Sequence, residues 1–221
     1  MRRLLLACGI ASSVVYVVAN IVGSLAWPAY RSASQTISEL SAVDAPSRPV
    51  WLPFAFAYAG LLVAFGVGVW RSSMTRRLRV TAVALIVIGA LGPFWPPMHQ
   101  RGVPASMTDV GHIAFTVVTT ILIFIAIASG TSALGGKFRL FTLATLAVLV
   151  VSGGLTFLQA PAVGANAPTP WLGVFERIDL GAYLLWVAVL SATLLRVARP
   201  VRGDFAISAP LDDKAMGHGR A

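Results

Sequence analysis

Charge is the scarcest thing in this sequence. Asp, Glu, Lys and Arg together make up 11% of it, and only eight residues are acidic. A water-soluble chain of 221 residues needs far more polar surface than that, so a soluble globular domain is excluded. Cysteine is nearly missing too: Cys8 stands alone, and no disulfide can form within the chain. Leu5-Leu6-Ala7-Cys8 has the outline of a lipoprotein processing site and Arg2-Arg3 that of a signal n-region, yet only about four apolar residues precede Cys8. Hydrophobicity continues to Trp27, so the first segment is expected to be retained as a membrane helix. No His-Glu-x-x-His pair and no Gly-x-Ser-x-Gly turn occurs, which removes two common hydrolase signatures.

What is present is apolar sequence: 57% hydrophobic residues and a mean hydropathy of +0.81, the composition of an integral membrane protein. The stretch from Ile113 to Gly136 carries no charge, long enough to cross a hydrocarbon core of about 30 Å at about 1.5 Å per residue. The same reading along the chain predicts an all-α fold, a transmembrane bundle of six helices filling residues 1–200, with no second domain. The spans are expected at about 4–27, 50–70, 80–95, 107–130, 139–159 and 170–198, followed by a disordered tail over 201–221. After the first span, Thr36 and Glu39 fit a capping box, and a short interfacial helix closed by Pro46 is expected to rest Ile37 and Leu40 on the membrane surface. Thr169 and Pro170 read as the N-cap and first residue of helix six.

The bases set an orientation. With the N-terminus, the 71–79 loop, the 131–139 loop and the tail on one side, that side holds thirteen Lys and Arg against four on the other. Both termini are therefore expected in the cytoplasm. Bases confined to loops in this way explain the net charge of +9 without nucleic acid, which is excluded as a partner.

On that orientation Glu39, Asp44, Asp109, Glu176 and Asp179 all fall at the outer end, as do His99 and His112. Charges near membrane helices are costly and turn toward the bundle interior, so one outward-opening polar pocket is expected. Polar residues at helical spacing would line it: Tyr16 and Asn20 with Ser13 and Ser24 on helix one, and Asp109, His112, Thr116 and Thr119 on helix four. Helix five contributes Thr142, Thr145, Ser152, Thr156 and Gln159, and helix six Glu176, Asp179 and Tyr183, with Arg177 beside them. Ser34 and Glu39 would join from the first loop.

Several chemistries fit these residues. His112 with Asp109 and Glu176 forms a candidate catalytic group for acid–base or proton-relay work. Asp109, His112 and Glu176 or Asp179 form an oxygen/nitrogen set suited to zinc or iron, and Ser34, Ser38 or Ser106 beside His112 would make a serine nucleophile. The plainer alternatives stand next to them. Asp109 and Ser106 have the spacing of a helix cap, His112 has the means to bond a neighbouring helix, and the outer acids and bases have the numbers for an ion-pair network. Haem is disfavoured, because His99 and His112 sit near the same end. No inverted repeat of a transporter is evident.

Three pieces of the chain resemble an uncharacterised prokaryotic family of six-helix membrane proteins, domain of unknown function 998. They are Ser34 to Leu40, Gly92-Pro93-Phe94 through Asp109 and His112, and Gly173-Val174-Phe175-Glu176-Arg177. The likeness spans about 5–200; it departs from the family pattern where Phe94-Trp95-Pro96 interrupts a Phe-Pro pair and where the acid, Asp109, stands later. The resemblance implies a fold and a location, multi-pass in a prokaryotic plasma membrane, and no activity or cofactor. The expectation is thus a membrane protein acting on a lipid or small amphiphile in its outer pocket by acid–base or metal-assisted chemistry, with membrane lipids as surroundings. The alternative is a scaffold, sensor or permeation component whose outer charges are structural ion pairs.

Overall fold

Hydrocarbon offers the backbone no partners, so each uncharged run must satisfy its own N–H and C=O groups, and a helix is how a single segment does so. The computed structural model describes residues 1–73, 75–131 and 134–198. Six helices follow one another: α1 Arg2–Leu25, α2 Arg48–Ser72, α3 Arg76–Leu91, α4 Met107–Thr131, α5 Gly136–Gly164 and α6 Leu172–Val197. All six are long and apolar enough to cross a membrane, α3 together with the turn after it. No strand occurs among the described residues, so this is an all-α multi-pass membrane protein. The tail from residue 201, expected to be disordered, lies outside the described residues.

Each helix packs chiefly on its neighbours in sequence, and α1 closes the ring against α6; the looser join is between α4 and α5. Leu6, Leu62, Phe65, Leu85, Ile127, Trp186 and Leu190 are fully buried between the helices. Small residues let them approach, as membrane helices require where no hydrophobic force holds them together. At Gly89 of α3 a Cβ would stand 2.8 Å from the Ala59 carbonyl oxygen, and at Gly66 of α2 one would stand 3.0 Å from that of Ala82. The α4 helix is the least enclosed: His112, Ala126, Ile127 and Gly130 are its buried residues.

Several boundaries differ from expectation. The α3 helix starts at Arg76, because Thr75 caps it by accepting from the Leu78 N–H, and the basic turn becomes its first turn. Pro161 does not end helix five, which runs on to Gly164, although the ring leaves the carbonyl four residues earlier without its usual donor. Thr169 does not cap helix six, whose N-cap is Trp171; its hydroxyl instead donates to the Ser34 carbonyl oxygen at 2.8 Å. The interfacial helix is a single 3-10 turn, Ser38–Ser41. Its capping box is present, with the Thr36 N–H donating to Glu39 Oε2 at 2.6 Å and the Glu39 N–H donating to Thr36 Oγ1 at 3.2 Å. It does not rest on the membrane surface. Ile37, Leu40, Ala42 and Ala45 are all buried, so residues 31–47 form a strap tucked into one end of the bundle.

Candidate functional site

The strap sits where it does because three charged side chains from two other segments, the loop before α4 and the start of α6, hold its backbone. Arg101 donates from Nε to Glu39 Oε1 at 2.7 Å and from Nη2 to Glu39 Oε2 at 3.1 Å, a two-pronged ion pair. The same guanidinium donates to Thr169 Oγ1 at 2.7 Å and to the Ser34 carbonyl oxygen at 2.9 Å. From α6, Arg177 donates to the carbonyl oxygens of Ser32 and Gln35 and, at 2.6 Å, to the Tyr30 hydroxyl. Tyr30 in turn donates to the Thr36 carbonyl oxygen at 2.7 Å. Burial pushes the Tyr30 hydroxyl up to about 12, against the opposing pull of Arg177, so it keeps the proton that this bond uses. Glu176 accepts the Ile37 backbone N–H. These groups are a latch.

A second cluster fixes the start of α4. Asp109 Oδ1 accepts from the His99 backbone N–H at 2.7 Å, and Oδ2 lies 2.8 Å from His99 Nδ1. Oδ2 also accepts from the Ser106 N–H at 2.8 Å, the cap arrangement that the Ser106–Asp109 spacing allows. Asp109→Ala is expected to cost about 0.5–2 kcal/mol, the range for a lost cap, read from unfolding in detergent micelles. A loss below that range would mean the cluster holds nothing.

His112 lies one turn further along, buried, and faces a different set of groups. Its Nδ1 accepts from the Trp95 indole Nε1 at 3.1 Å and stands 2.8 Å from the Pro96 carbonyl oxygen. One nitrogen cannot serve both in a single tautomer. The carbonyl is closer and needs a proton on Nδ1, which leaves Nε2 as a lone-pair acceptor; in the other tautomer Nε2 is a donor. In either form protein groups occupy Nδ1, and Nε2 has no hydrogen-bond partner among the described residues.

The imidazole borders a cavity of about 220 Å³ beneath the strap, enclosed by α1, α2, the end of α3, residues 95–97, α4 and α6. Aromatic and aliphatic groups dominate its wall, among them Trp51, Phe56, Ile88, Trp95 and Leu180. The polar groups are few: His112, Thr119, Tyr16, Tyr58 and Tyr183, with Ser38, Ser41 and Arg48 toward the strap. Tyr16 packs edge-on against Trp51 and Tyr58, with ring centroids 5.5 and 4.9 Å away. Thr119 Oγ1 is buried without a hydrogen-bond partner among the described residues, and the Tyr183 hydroxyl is buried beside that of Tyr58 without a well-directed hydrogen bond to it.

Of the residues singled out from the sequence, His112, Thr119, Tyr16, Tyr183 and Ser38 meet at this cavity. The others have separate tasks. Asp109 serves His99 and Ser106, Glu176 serves the strap, and neither carboxylate is hydrogen-bonded to His112. Ser34, Glu39 and Arg177 belong to the latch. Asp179 accepts from the Ser152 hydroxyl at 3.2 Å between α6 and α5, and Thr156 bonds back to the Ser152 carbonyl of its own helix. Thr116 is exposed and bonds the His112 carbonyl, while Asn20 faces a groove on the far side of Tyr16. The polar stripe of α5 lines no part of the cavity. No group of three His, Cys, Asp or Glu placed to hold a metal exists among the described residues. Trp51, Trp95 and Arg101 were not singled out for the site; an aromatic in an apolar run, or one arginine in a loop, carries no local signature.

A family model described as Protein of unknown function (DUF998) matches residues 10–193. Neither the curated proteins nor the solved structures yield a match.

Proposed function

The chain belongs to the DUF998 family, and from its cavity we propose that it binds a small amphiphile inside the six-helix bundle, with Tyr183, Thr119 and His112 holding the ligand's polar group. The observation that carries this reading is a pair of poorly satisfied hydroxyls on residues that border one hollow: Thr119 Oγ1 has no partner among the described residues, and Tyr183 has only the neighbouring Tyr58 hydroxyl. A buried hydroxyl without a partner costs about 1–3 kcal/mol. A ligand oxygen reaching either one removes that cost. His112 Nε2 adds a group able to donate or accept according to tautomer, which suits a hydroxyl-bearing molecule. The remaining wall is apolar and aromatic, the usual lining of a small-molecule site. An apolar cavity of about 150 Å³ accommodates benzene, so 220 Å³ has room for a two-ring molecule.

Catalysis has less support. An acid–base pair needs a carboxylate beside His112, and the partners of its ring are an indole and a backbone carbonyl. Four of the outer carboxylates, Glu39, Glu176, Asp109 and Asp179, are held by the strap, the α4 cap and Ser152. With the termini cytoplasmic, as the distribution of bases favours, the strap end faces outward from a prokaryotic plasma membrane, and the ligand comes from the outer leaflet or beyond it.

The test uses 1-naphthol and naphthalene, two probes of nearly equal size that differ by one hydroxyl. The purified protein in detergent micelles is expected to gain thermal stability with 1-naphthol well beyond its gain with naphthalene. Tyr183→Phe removes a poorly satisfied hydroxyl, so the ligand-free protein should keep its stability to within about 1 kcal/mol. The same substitution should weaken 1-naphthol by about fivefold to tenfold and leave naphthalene unchanged. Equal gains from the two probes, or unchanged naphthol binding in Tyr183→Phe, would sink the proposal.

A further inference from the structure

A second hollow opens on the other side of Tyr16. It is a groove of about 440 Å³ between α1 and α6, lined by Val17, Asn20, Ile21, Ser24, Leu180 and Gly181 among others, with Ser32 and Arg177 at the strap end. Along α1 it runs from Tyr16 to Leu25, about 14 Å at 1.5 Å per residue, close to the hydrocarbon depth of one leaflet, about 15 Å. Its chemistry is divided along its length. Ser32, Arg177, Asn20 and Ser24 lie in the half nearer the strap, among the apolar Ile21, Leu25 and Ile37, and Tyr16, Val17, Leu180, Gly181 and Leu184 in the half toward mid-membrane. That order is the order of a phospholipid, polar head and glycerol above an acyl chain.

The charge decides which phospholipid. Arg177 is held by neutral groups: the carbonyl oxygens of Ser32, Gln35 and Gly173 and the Tyr30 hydroxyl. No carboxylate reaches its guanidinium among the described residues, in contrast to Arg101, which has Glu39. Its Nε has no protein acceptor among them either. Arg31, on an exposed position of the strap, adds a second base at the same end. A positive charge with no carboxylate in direct contact, the neighbouring Glu176 being turned to the Ile37 N–H, is complementary at the head of a lipid-length groove to a phosphate. The side-chain amide of Asn20 makes no hydrogen bond to the protein among the described residues and lies in the groove, where it has the donors an ester carbonyl would use.

We propose that the α1–α6 groove seats one anionic phospholipid, its phosphate at Arg177 and one acyl chain along Val17, Leu180, Gly181 and Leu184. This seat does not depend on the cavity reading, although the two hollows share Tyr16, Ile37 and Leu180 as a common wall. Gly181 supplies the probe of it. A Cβ there would meet nothing within 4 Å, so the side chain of Gly181→Leu starts in open space on the groove wall and reaches into the groove.

The full-length protein, reconstituted in nanodiscs of equal parts dioleoylphosphatidylglycerol and dioleoylphosphatidylcholine, is released and weighed by native mass spectrometry. One phosphatidylglycerol per chain is expected to remain, favoured over phosphatidylcholine by about tenfold or more, the scale of one charge-assisted hydrogen bond. Gly181→Leu should lose the retained lipid while its melting temperature in detergent stays that of the wild type. Arg177→Lys should keep a lipid bound and lower the preference, since a point charge replaces a planar fork. Equal retention of the two lipids by the wild-type protein overturns the proposal without recourse to any variant. So does a folded Gly181→Leu that keeps its phosphatidylglycerol.

Discussion

Arg101→Ala is expected to be among the most damaging single substitutions in the chain, at about 3–5 kcal/mol. The guanidinium answers a carboxylate that is almost wholly enclosed: the side chains of Arg101 and Glu39 are 17% and 2% exposed. Removing the base leaves Glu39 buried without its counter-ion, and it also frees the Ser34 carbonyl and the Thr169 hydroxyl from one of their donors. Unfolding by added sodium dodecyl sulfate measures the loss. The comparison that isolates the cause is Glu39→Met with Arg101→Met, which removes both charges and should recover a substantial part of the stability, because no unpaired ion is then left behind. A single substitution costing less than about 1 kcal/mol would place the pair among exposed salt bridges, and the latch would then have to be abandoned.

Gly173→Ala attacks the same junction from the other side. A Cβ at Gly173 would overlap the carbonyl oxygens of Ser32 and Gln35, both backbone atoms that cannot swing away as a side-chain tip does. The Val174 N–H donates to the Ala33 carbonyl at 3.2 Å just beside them, so the first turn of α6 and the strap lie backbone to backbone. One methyl group there must push the strap off its seat, with an expected cost of about 1–3 kcal/mol or more. Limited proteolysis should cut the 31–47 segment faster in the variant than in the wild type. Gly181→Ala, at a position with open space around it, is the control and should leave both readouts unchanged. If Gly173→Ala behaves like that control, the close approach is not real.

The two substitutions also mark how far local pattern carries. Glu39 and Thr36 were legible as a capping box, because a box depends on spacing within four residues, and both of its hydrogen bonds are present. That Glu39 also serves Arg101, 62 positions away, follows from no spacing. The same holds for His112. Its place on a face of helix four could be read from the helical period, and so could Thr119 and Asp109 on that face. Which of the three would meet a cavity was not legible. The turn of Trp95 and Pro96 over the imidazole directs His112 inward, while Asp109, less than one helical turn earlier, is taken up by His99 and Ser106. The expectation that Ile37 and Leu40 lie on the membrane surface failed for a related reason. Two apolar residues three apart will turn to any hydrophobic neighbour, and the mouth of the bundle is nearer than the lipid.

Composition and period were enough for six membrane helices, since hydrocarbon leaves the backbone one way to satisfy itself and the length of a span follows from bilayer thickness; family membership came from the resemblance of three short motifs. They could not say which polar residues share a space. Spacing along a helix names a face, but what a face meets depends on how the helices are rotated and on which loop folds back over their ends. Here that is the work of Arg101, Arg177 and Glu176 on the strap, contacts between residues 62 to 145 positions apart.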